Sequence, residues 1–292
     1  MRGISQAERA FIGDFTLSRD KTLSEEAVRA FRDLIYAYFG EHGRKLPWRE
    51  TNNPYHILVS EIMLQQTQVE RVIEKYEAFI KTFPDLHALA RASLQEILKV
   101  WQGLGYNRRA IALKRSAEIV VASFDGMLPS QPDELLKLSG IGRYTASAIA
   151  TFAFDQPVVF IETNIRTVFI HFFFHNQSEI NDSEILPLIE QTLDFSRPRT
   201  WYNALMDYGV MLKQQRQNHS RKSAHYHKQT PFKGSNRELR GMILRVLTRE
   251  TSLSERELVH TLNIDPARVK GTLMQLQDEG FIEKSGSRYR IA

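Results

Sequence analysis

Two carboxylates stand at positions where a carboxylate needs a reason. Glu61 lies in the run Ser60-Glu61-Ile62-Met63-Leu64-Gln65-Gln66-Thr67-Gln68-Val69. Leu58, Ile62, Met63 and Val69 make its helix largely buried, and a carboxylate there is costly unless a partner such as Arg49 satisfies it or it has a chemical task. Glu162 precedes a helical run beginning near Asn164, where negative charge is favoured by the helix dipole; cap and catalyst are compatible roles for it. A third segment, Leu138-Ser139-Gly140-Ile141-Gly142-Arg143-Tyr144-Thr145-Ala146, has two glycines that permit a tight turn. The helix that follows opens with backbone N–H groups able to hold a phosphate oxygen, which makes Gly140, Gly142, Arg143 and Thr145 candidate phosphate contacts. An ordinary helix C-cap between packed helices would use the same glycines.

The elements that must position these residues are helices. From Ser24 to about Asp207 the apolar residues recur at three and four spacing, as in Leu94, Ile97, Leu98 and Trp101. Start signals are frequent: Thr22 and Ser24 before Glu25-Glu26, Pro84-Asp85, Ser93 before Glu96, Pro132-Asp133, and Asp182 or Ser183 before Glu184. From Lys213 to Asn236 the periodicity stops and no acidic residue occurs, so this stretch reads as a basic linker or an irregular docking segment. Lys213, Arg216, Arg221 and Lys222 are its candidate phosphate contacts. Three short helical patterns follow, near Arg237 to Arg249, Ser254 to Leu262 and Pro266 to Glu279, and then an alternating hairpin from Phe281 to Ile291 around Ser285-Gly286. That order resembles a winged helix-turn-helix, whose third helix, carrying Arg268 and Lys270, would enter the major groove. The expected organisation is an extension over 1–23, a mainly α domain over 24–212, a basic linker over 213–235 and a winged helix-turn-helix domain over 236–292.

Composition narrows the function. A chain of 292 residues with 42% hydrophobic content can bury a sizeable core. A net charge of +5 and a pI near 9.3 favour a polyanionic partner over a small acidic ligand. There is no apolar run of membrane-spanning length, and the start Met1-Arg2-Gly3-Ile4-Ser5-Gln6 lacks a secretory core, so a cytoplasmic protein is expected, with a monomer as the default. The chain has no cysteine, which excludes disulfides, thiolate zinc sites, cysteine-held iron-sulfur clusters and a cysteine nucleophile.

Further segments occur in a fixed order around the first three: Leu46-Pro47-Trp48-Arg49, Pro54-Tyr55, Trp101-Gln102-Gly103-Leu104-Gly105-Tyr106, Ile161-Glu162-Thr163-Asn164-Ile165-Arg166-Thr167-Val168 and Ala204-Leu205-Met206-Asp207-Tyr208-Gly209. Together they resemble the catalytic domain of the adenine DNA glycosylases, within the helix-hairpin-helix DNA glycosylase superfamily, over roughly Leu46 to Gly209. The resemblance implies a two-lobed helical domain acting on double-stranded DNA that contains a mispaired or damaged base. The base would be flipped out, at a cost that is smaller when it is mismatched. It makes Glu61 the general acid that protonates the departing base, a role that needs the raised pKa burial gives. It makes Glu162 the carboxylate that stabilises the oxocarbenium-like sugar. The family has Asp there, and one extra methylene displaces a carboxylate by about an ångström, a shift that can cost ~10²-fold in rate. Asn164 would orient that carboxylate, Arg49 and Gln66 would line the base pocket, and Gln66 would fill the vacated stack. Tyr144 occupies the position of the lysine nucleophile of bifunctional relatives such as endonuclease III and would lie at the active site, so no Schiff-base lyase step is expected.

Three departures from the family qualify this reading. The four cysteines that hold an iron-sulfur cluster in most members correspond to Lys213, Ser220, Ser223 and Gln229, and His219, His225 and His227 form no zinc spacing, so a cofactor-free protein is expected. Tyr106 is followed by Asn107, where adenine glycosylases often insert a second tyrosine beside the opposite base and thymine mismatch glycosylases have an Asn nearby. The C-terminal part does not resemble the β-rich module that reads 8-oxoguanine. The leading expectation is release of adenine opposite G or 8-oxoguanine. Thymine, uracil or another altered base is the second. A lesion-binding or regulatory protein with weak catalysis is the third, and it would tolerate Glu61→Gln.

Overall fold

A computed structural model describes residues 8, 11–12, 22–215, 219–224 and 231–292. Its chain is mainly α and runs α1 (Glu25–His42), a 3-10 turn (Pro47–Arg49), α2 (Pro54–Leu64), α3 (Val69–Thr82), α4 (Leu86–Arg91), α5 (Leu94–Trp101), α6 (Arg108–Ser123), α7 (Pro132–Leu135), α8 (Arg143–Phe154), α9 (Thr163–Phe173), α10 (Asp182–Thr192) and α11 (Pro198–Gln215). A second 3-10 turn (His219–Lys222) precedes α12 (Asn236–Leu247), β1 (Leu253–Ser254), α13 (Glu255–Leu262), α14 (Pro266–Asp278), β2 (Ile282–Ser285) and β3 (Arg288–Ile291). Among the described residues no helix is long and apolar enough to cross a membrane.

The start signals work as local chemistry dictates. Ser24 accepts from the Ala27 N–H, Asp85 from Ala88, Ser235 from Glu238 and Asp265 from Arg268, while Ser93 with Glu96 and Ser254 with Glu257 form capping boxes. The start of α10 differs from expectation. Its cap is Asn181, whose N–H donates to Glu184, because Asp182 is drawn off into a two-bonded pair with Arg166 at 2.7 Å.

The chain forms two compact units, each assembled from two stretches: Met1–Asn52 with Arg143–Lys228, and Asn53–Gly142 with Gln229–Ala292. In the first, α1, α9 and α11 pack around an aromatic core in which Phe31 meets Phe169, Phe172, Phe173 and Trp201 edge-on. The described part of the N-terminal extension joins this core: Phe11 packs on Phe172 and Phe173, and the Glu8 carboxylate lies 2.7 Å from His171 Nε2. Helix α11 continues through Lys213 to Gln215, into the segment expected as linker. Beyond it, the Ile180 N–H donates to Lys222 and Ile180 accepts from Ala224, so part of that segment is docked rather than free.

In the second unit, α2 to α6 bury Leu58, Ile62, Phe79, Leu89, Ile97, Trp101, Leu113 and Val120. The C-terminal residues add α12, α13, α14 and an antiparallel sheet of order β1-β3-β2, closed over Leu239, Ile243, Leu258, Val269, Leu273 and Phe281. The sheet has three strands where a two-stranded hairpin was expected, because Leu253 and Ser254 pair with Tyr289 and Arg288. Gln102 Nε2 donates to Thr248 Oγ1 at 2.6 Å, and the Glu279 carboxylate bridges Arg108 and Arg240, so the C-terminal elements pack directly on α5 and α6.

Candidate functional site

In the second unit, Glu61 is carried by α2. Asn53 caps it by accepting from the Tyr55 N–H at 2.9 Å, Pro54 starts it with a pre-set φ, and Glu61 in its last turns is only 7% exposed. The last carbonyls of a helix lack intrahelical donors. Here Arg109 supplies them: its Nη1 donates to the carbonyls of Ile62, Met63 and Gln65 at 2.9, 2.7 and 2.6 Å. Its Nη2 donates to Thr67 Oγ1 and Gly105 at 3.0 Å and to Leu104 at 3.4 Å. Burial pulls this guanidinium down to about 10, so it remains a cation at neutral pH, where the carbonyl end of a helix favours one. One side chain thus ties together the two turns that carry Gln66 and Tyr106. Both residues have left-handed backbone, φ 56° and 47°, which persists only where the surroundings over-determine it.

Gln66, Tyr106 and Asn107 line one cleft of about 1140 Å³. The Tyr106 hydroxyl accepts from Arg237 Nη1 at 2.5 Å, and the guanidinium lies over the ring at 5.5 Å. The nearby glycine turn is built for close packing: a Cβ on Gly140, at φ 74°, would meet Ala112 Cβ at 2.7 Å, and the Ser139 carbonyl accepts from Ser116 Oγ at 2.8 Å. Gly142 has open space around it and is exposed.

In the first unit, α8 opens with Arg143, Tyr144 and Thr145. Tyr144 meets Phe160 edge-on at 5.8 Å, and Phe160 in turn stacks on Tyr202 at 3.9 Å. Glu162 caps α9: one carboxylate oxygen accepts from the Asn164 and Ile165 N–H groups at 2.7 and 2.9 Å, the other from Asn164 Nδ2 at 3.2 Å. Lys213 Nζ donates to Asn164 Oδ1 at 2.7 Å. Asn164 is therefore polarised in one direction, from an ammonium at its oxygen to a carboxylate at its nitrogen. Burial pulls the Lys213 ammonium down, partly offset by the negative charge of Glu162. Gly209 brings α11 close enough for this chain of contacts, since a Cβ there would lie 2.4 Å from the Asn164 carbonyl oxygen.

Arg49, expected to line the base pocket, is held in a charged brace. Both its terminal nitrogens donate to Asp207, each at 2.8 Å, and Asp207 also accepts from Arg44 Nε and N–H at 2.7 and 2.8 Å. Burial opposes the charge of Asp207, but the bonds and charge of Arg49 outweigh it and hold the carboxyl below its ordinary range. Arg199 donates to the carbonyls of Arg49 and Thr51 at 2.9 and 2.6 Å and completes this brace.

Several expected phosphate contacts have other partners. Lys213 points inward to Asn164, Lys222 donates to the His175 carbonyl at 2.6 Å and Arg268 to the Gly234 carbonyl at 3.0 Å. Arg221 and Lys270 are exposed, and Arg216 lies outside the described residues. The residues at the cluster positions do not fit thiolate-held iron: Lys213 is a cation bonded to an amide, Ser223 is buried beside Ile180, and Gln229 lies outside the described residues. Among the described residues no group of three or more His, Asp or Glu side chains is arranged to hold a metal ion.

Arg109 and Arg237 in the second unit, and Asp207 and Arg199 in the first, brace their neighbours in ways the sequence did not suggest. Only Asp207 carried a signal, its place in the segment Met206-Asp207-Tyr208-Gly209.

Residues 59–191 match the model of the HhH-GPD superfamily of base excision DNA repair proteins. An adenine DNA glycosylase of Buchnera aphidicola is 38% identical over 187 residues, covering 62% of this chain and 52% of that protein. An adenine DNA glycosylase of Mycolicibacterium smegmatis is 32% identical over 278 residues, covering 88% of this chain and 94% of that protein. The chain thus spans about half or less of several relatives it matches and nearly all of the mycobacterial one. A solved thermostable thymine-DNA glycosylase superposes with a TM-score of 0.58 at 25% identity, covering 65% of this chain and 89% of that one.

Proposed function

The chain belongs to the adenine DNA glycosylase family of the helix-hairpin-helix base excision repair superfamily, and on that premise we propose that it hydrolyses the N-glycosidic bond of a mispaired adenine in duplex DNA. The carboxyl proton of Glu61 passes to a ring nitrogen of the base as the C1′–N bond breaks. The bonding pair leaves with the base, which departs neutral. The Glu162 carboxylate stabilises the sugar cation until water adds at C1′ and gives up a proton, leaving an abasic site. Burial of Glu61 supports the first role, because a desolvated carboxyl favours its neutral, proton-donating form.

The observation that carries this reading is the restraint on Glu162. Two backbone donors and the Asn164 amide hold a carboxylate that is one methylene longer than the family's. The residue is thereby a helix cap and a fixed negative charge at once, which is the pre-organisation a charge stabiliser requires. With Tyr144 in the lysine's place, the enzyme is monofunctional. The element order α12-β1-α13-α14-β2-β3 supports reading the C-terminal part as a winged helix-turn-helix.

Product analysis tests the proposal. Duplexes with adenine opposite G or 8-oxoguanine break after treatment with wild-type protein only when alkali follows, and borohydride traps no covalent complex. Strand breaks without alkali would overturn the monofunctional assignment, and release of thymine or uracil alone would overturn the substrate.

A further inference from the structure

The cleft behind Gln66 and Tyr106 contains more positive charge than its structural role uses. Arg71, Arg108, Arg109, Arg237, Arg240 and Arg245 all line it, and no carboxylate does. Arg108 and Arg240 share Glu279 just outside the lining, and Arg109 is spent on backbone carbonyls. Arg71 and Arg245 are exposed and make no ion pair among the described residues. The cleft also holds Phe232, 59% exposed, together with the amide side chains of Gln66 and Asn107. At about 1140 Å³ it exceeds the ~300–1,000 Å³ of small-molecule sites. A cationic cleft of that size is suited to a nucleic-acid backbone, whose phosphates meet the arginines.

Helix α14, the element a winged helix would offer to DNA, is occupied along one edge. Arg268 donates to Gly234, Thr272 to Asn236 Oδ1 at 3.1 Å, Gln275 accepts from Asn236 Nδ2 at 2.9 Å, and Glu279, just past its end, holds two arginines. Its other charged residues are Lys270 and Asp278, one of each sign.

We infer that the C-terminal domain contacts DNA through this cleft, by the α12 edge with Arg245 together with Arg71 of α3, and not through α14. The ligand is a stretch of phosphodiester backbone of the bound duplex. The inference rests on the DNA substrate proposed above and adds a binding site to it.

The test uses the full chain carrying Glu61→Gln, so that binding is read without base release, and a fluorescent duplex with one A·G mismatch. Affinity is measured across a salt series, with a thermal melt of each variant to check folding. Removing one cation that neutralises a phosphate reduces the slope of log K against log salt by about 0.9. Arg71→Ala and Arg245→Ala are each expected to lower the slope by that amount, the pair by about twice as much, on matched and mismatched duplex alike, while Lys270→Ala leaves it unchanged. Unchanged slopes for both arginine variants, or a reduced slope with Lys270→Ala alone, would overturn the inference. Base release by the wild-type chain, assayed in parallel, separates the two claims. Release with unaltered slopes removes the cleft and keeps the enzyme; lowered slopes without release keep the cleft and remove the enzyme; absence of any duplex binding removes both.

Discussion

Replacing Arg109 by Met should strongly destabilise the protein. Methionine keeps much of the aliphatic volume, so the loss is electrostatic rather than a cavity. The carbonyls of Ile62, Met63 and Leu104 are buried and lose their Arg109 donor, each at a cost of about 1–3 kcal/mol. The carbonyls of Gln65 and Gly105 are nearer the surface and can turn to water. Removing a buried guanidinium also relieves its desolvation, so the net expectation is about 3–5 kcal/mol, toward the low end of the cost of three buried carbonyls left without a donor. That is a large share of the ~5–15 kcal/mol that holds a domain folded. Arg109→Lys keeps the charge but not the planar fork, and should lose about half as much. Urea unfolding at pH 7 reads the stability. Single-turnover adenine release at low temperature, where both variants remain folded, reads the function, which should fall because the turns bearing Gln66 and Tyr106 are no longer held at positive φ. A loss under about 1 kcal/mol for Arg109→Met, or unaltered base release by a folded Arg109→Met protein, would refute the role assigned to this residue.

Other perturbations separate charge from scaffold. Glu162→Gln keeps an acceptor for the α9 cap, so its Tm should change little while base release falls about 10²-fold; equal rates would make Glu162 a cap only. Lys213→Met should leave stability within about 1 kcal/mol, since burying an ammonium offsets its bond to Asn164, but slow base release about tenfold by loosening Asn164. Gly209→Ala drives a methyl group into the Asn164 backbone and should cost about 1–3 kcal/mol, with base release reduced at every temperature tested. The Arg108 hydrogen bonds, with Arg240, bring the Glu279 carboxyl down to about 2 from an ordinary 4.5. Its folded pKa is depressed, so the stability it adds is fully present above about pH 4.5 and is lost as pH falls towards 2. Urea titrations at pH 7 and pH 3 should therefore show wild type and Glu279→Gln converging at the lower pH; a constant difference would contradict the assignment.

What is legible in the sequence is local. Caps and helices follow from Ser24, Asp85, Ser93 and Ser254, because a hydroxyl or carboxylate three residues before an N–H acts through neighbouring backbone alone. The α10 cap lies one residue earlier than its sequence signal, since Asp182 has a tertiary partner, Arg166, that no local pattern reveals. Nothing in the sequence singles out Arg109 from the arginine beside it, and only the closure of two distant turns brings it inward. Lys213 begins a stretch with the composition of a solvated linker, yet α11 carries it past Asp207 on the buried side, where Asn164 waits. Gly209 is visible as part of a motif, but its reason, the approach of a second helix to Asn164, is nonlocal.

Adenine release, read by alkaline strand cleavage, from duplexes with A opposite 8-oxoguanine, A opposite G and A opposite T, for wild type and Glu61→Gln, is the first test of the proposed chemistry. Wild type should release adenine from the two mispairs and not from A·T, and Glu61→Gln should lose at least ~10²-fold. Equal rates for wild type and Glu61→Gln, or no release from either mispair while the duplexes are bound, would overturn the glycosylase assignment.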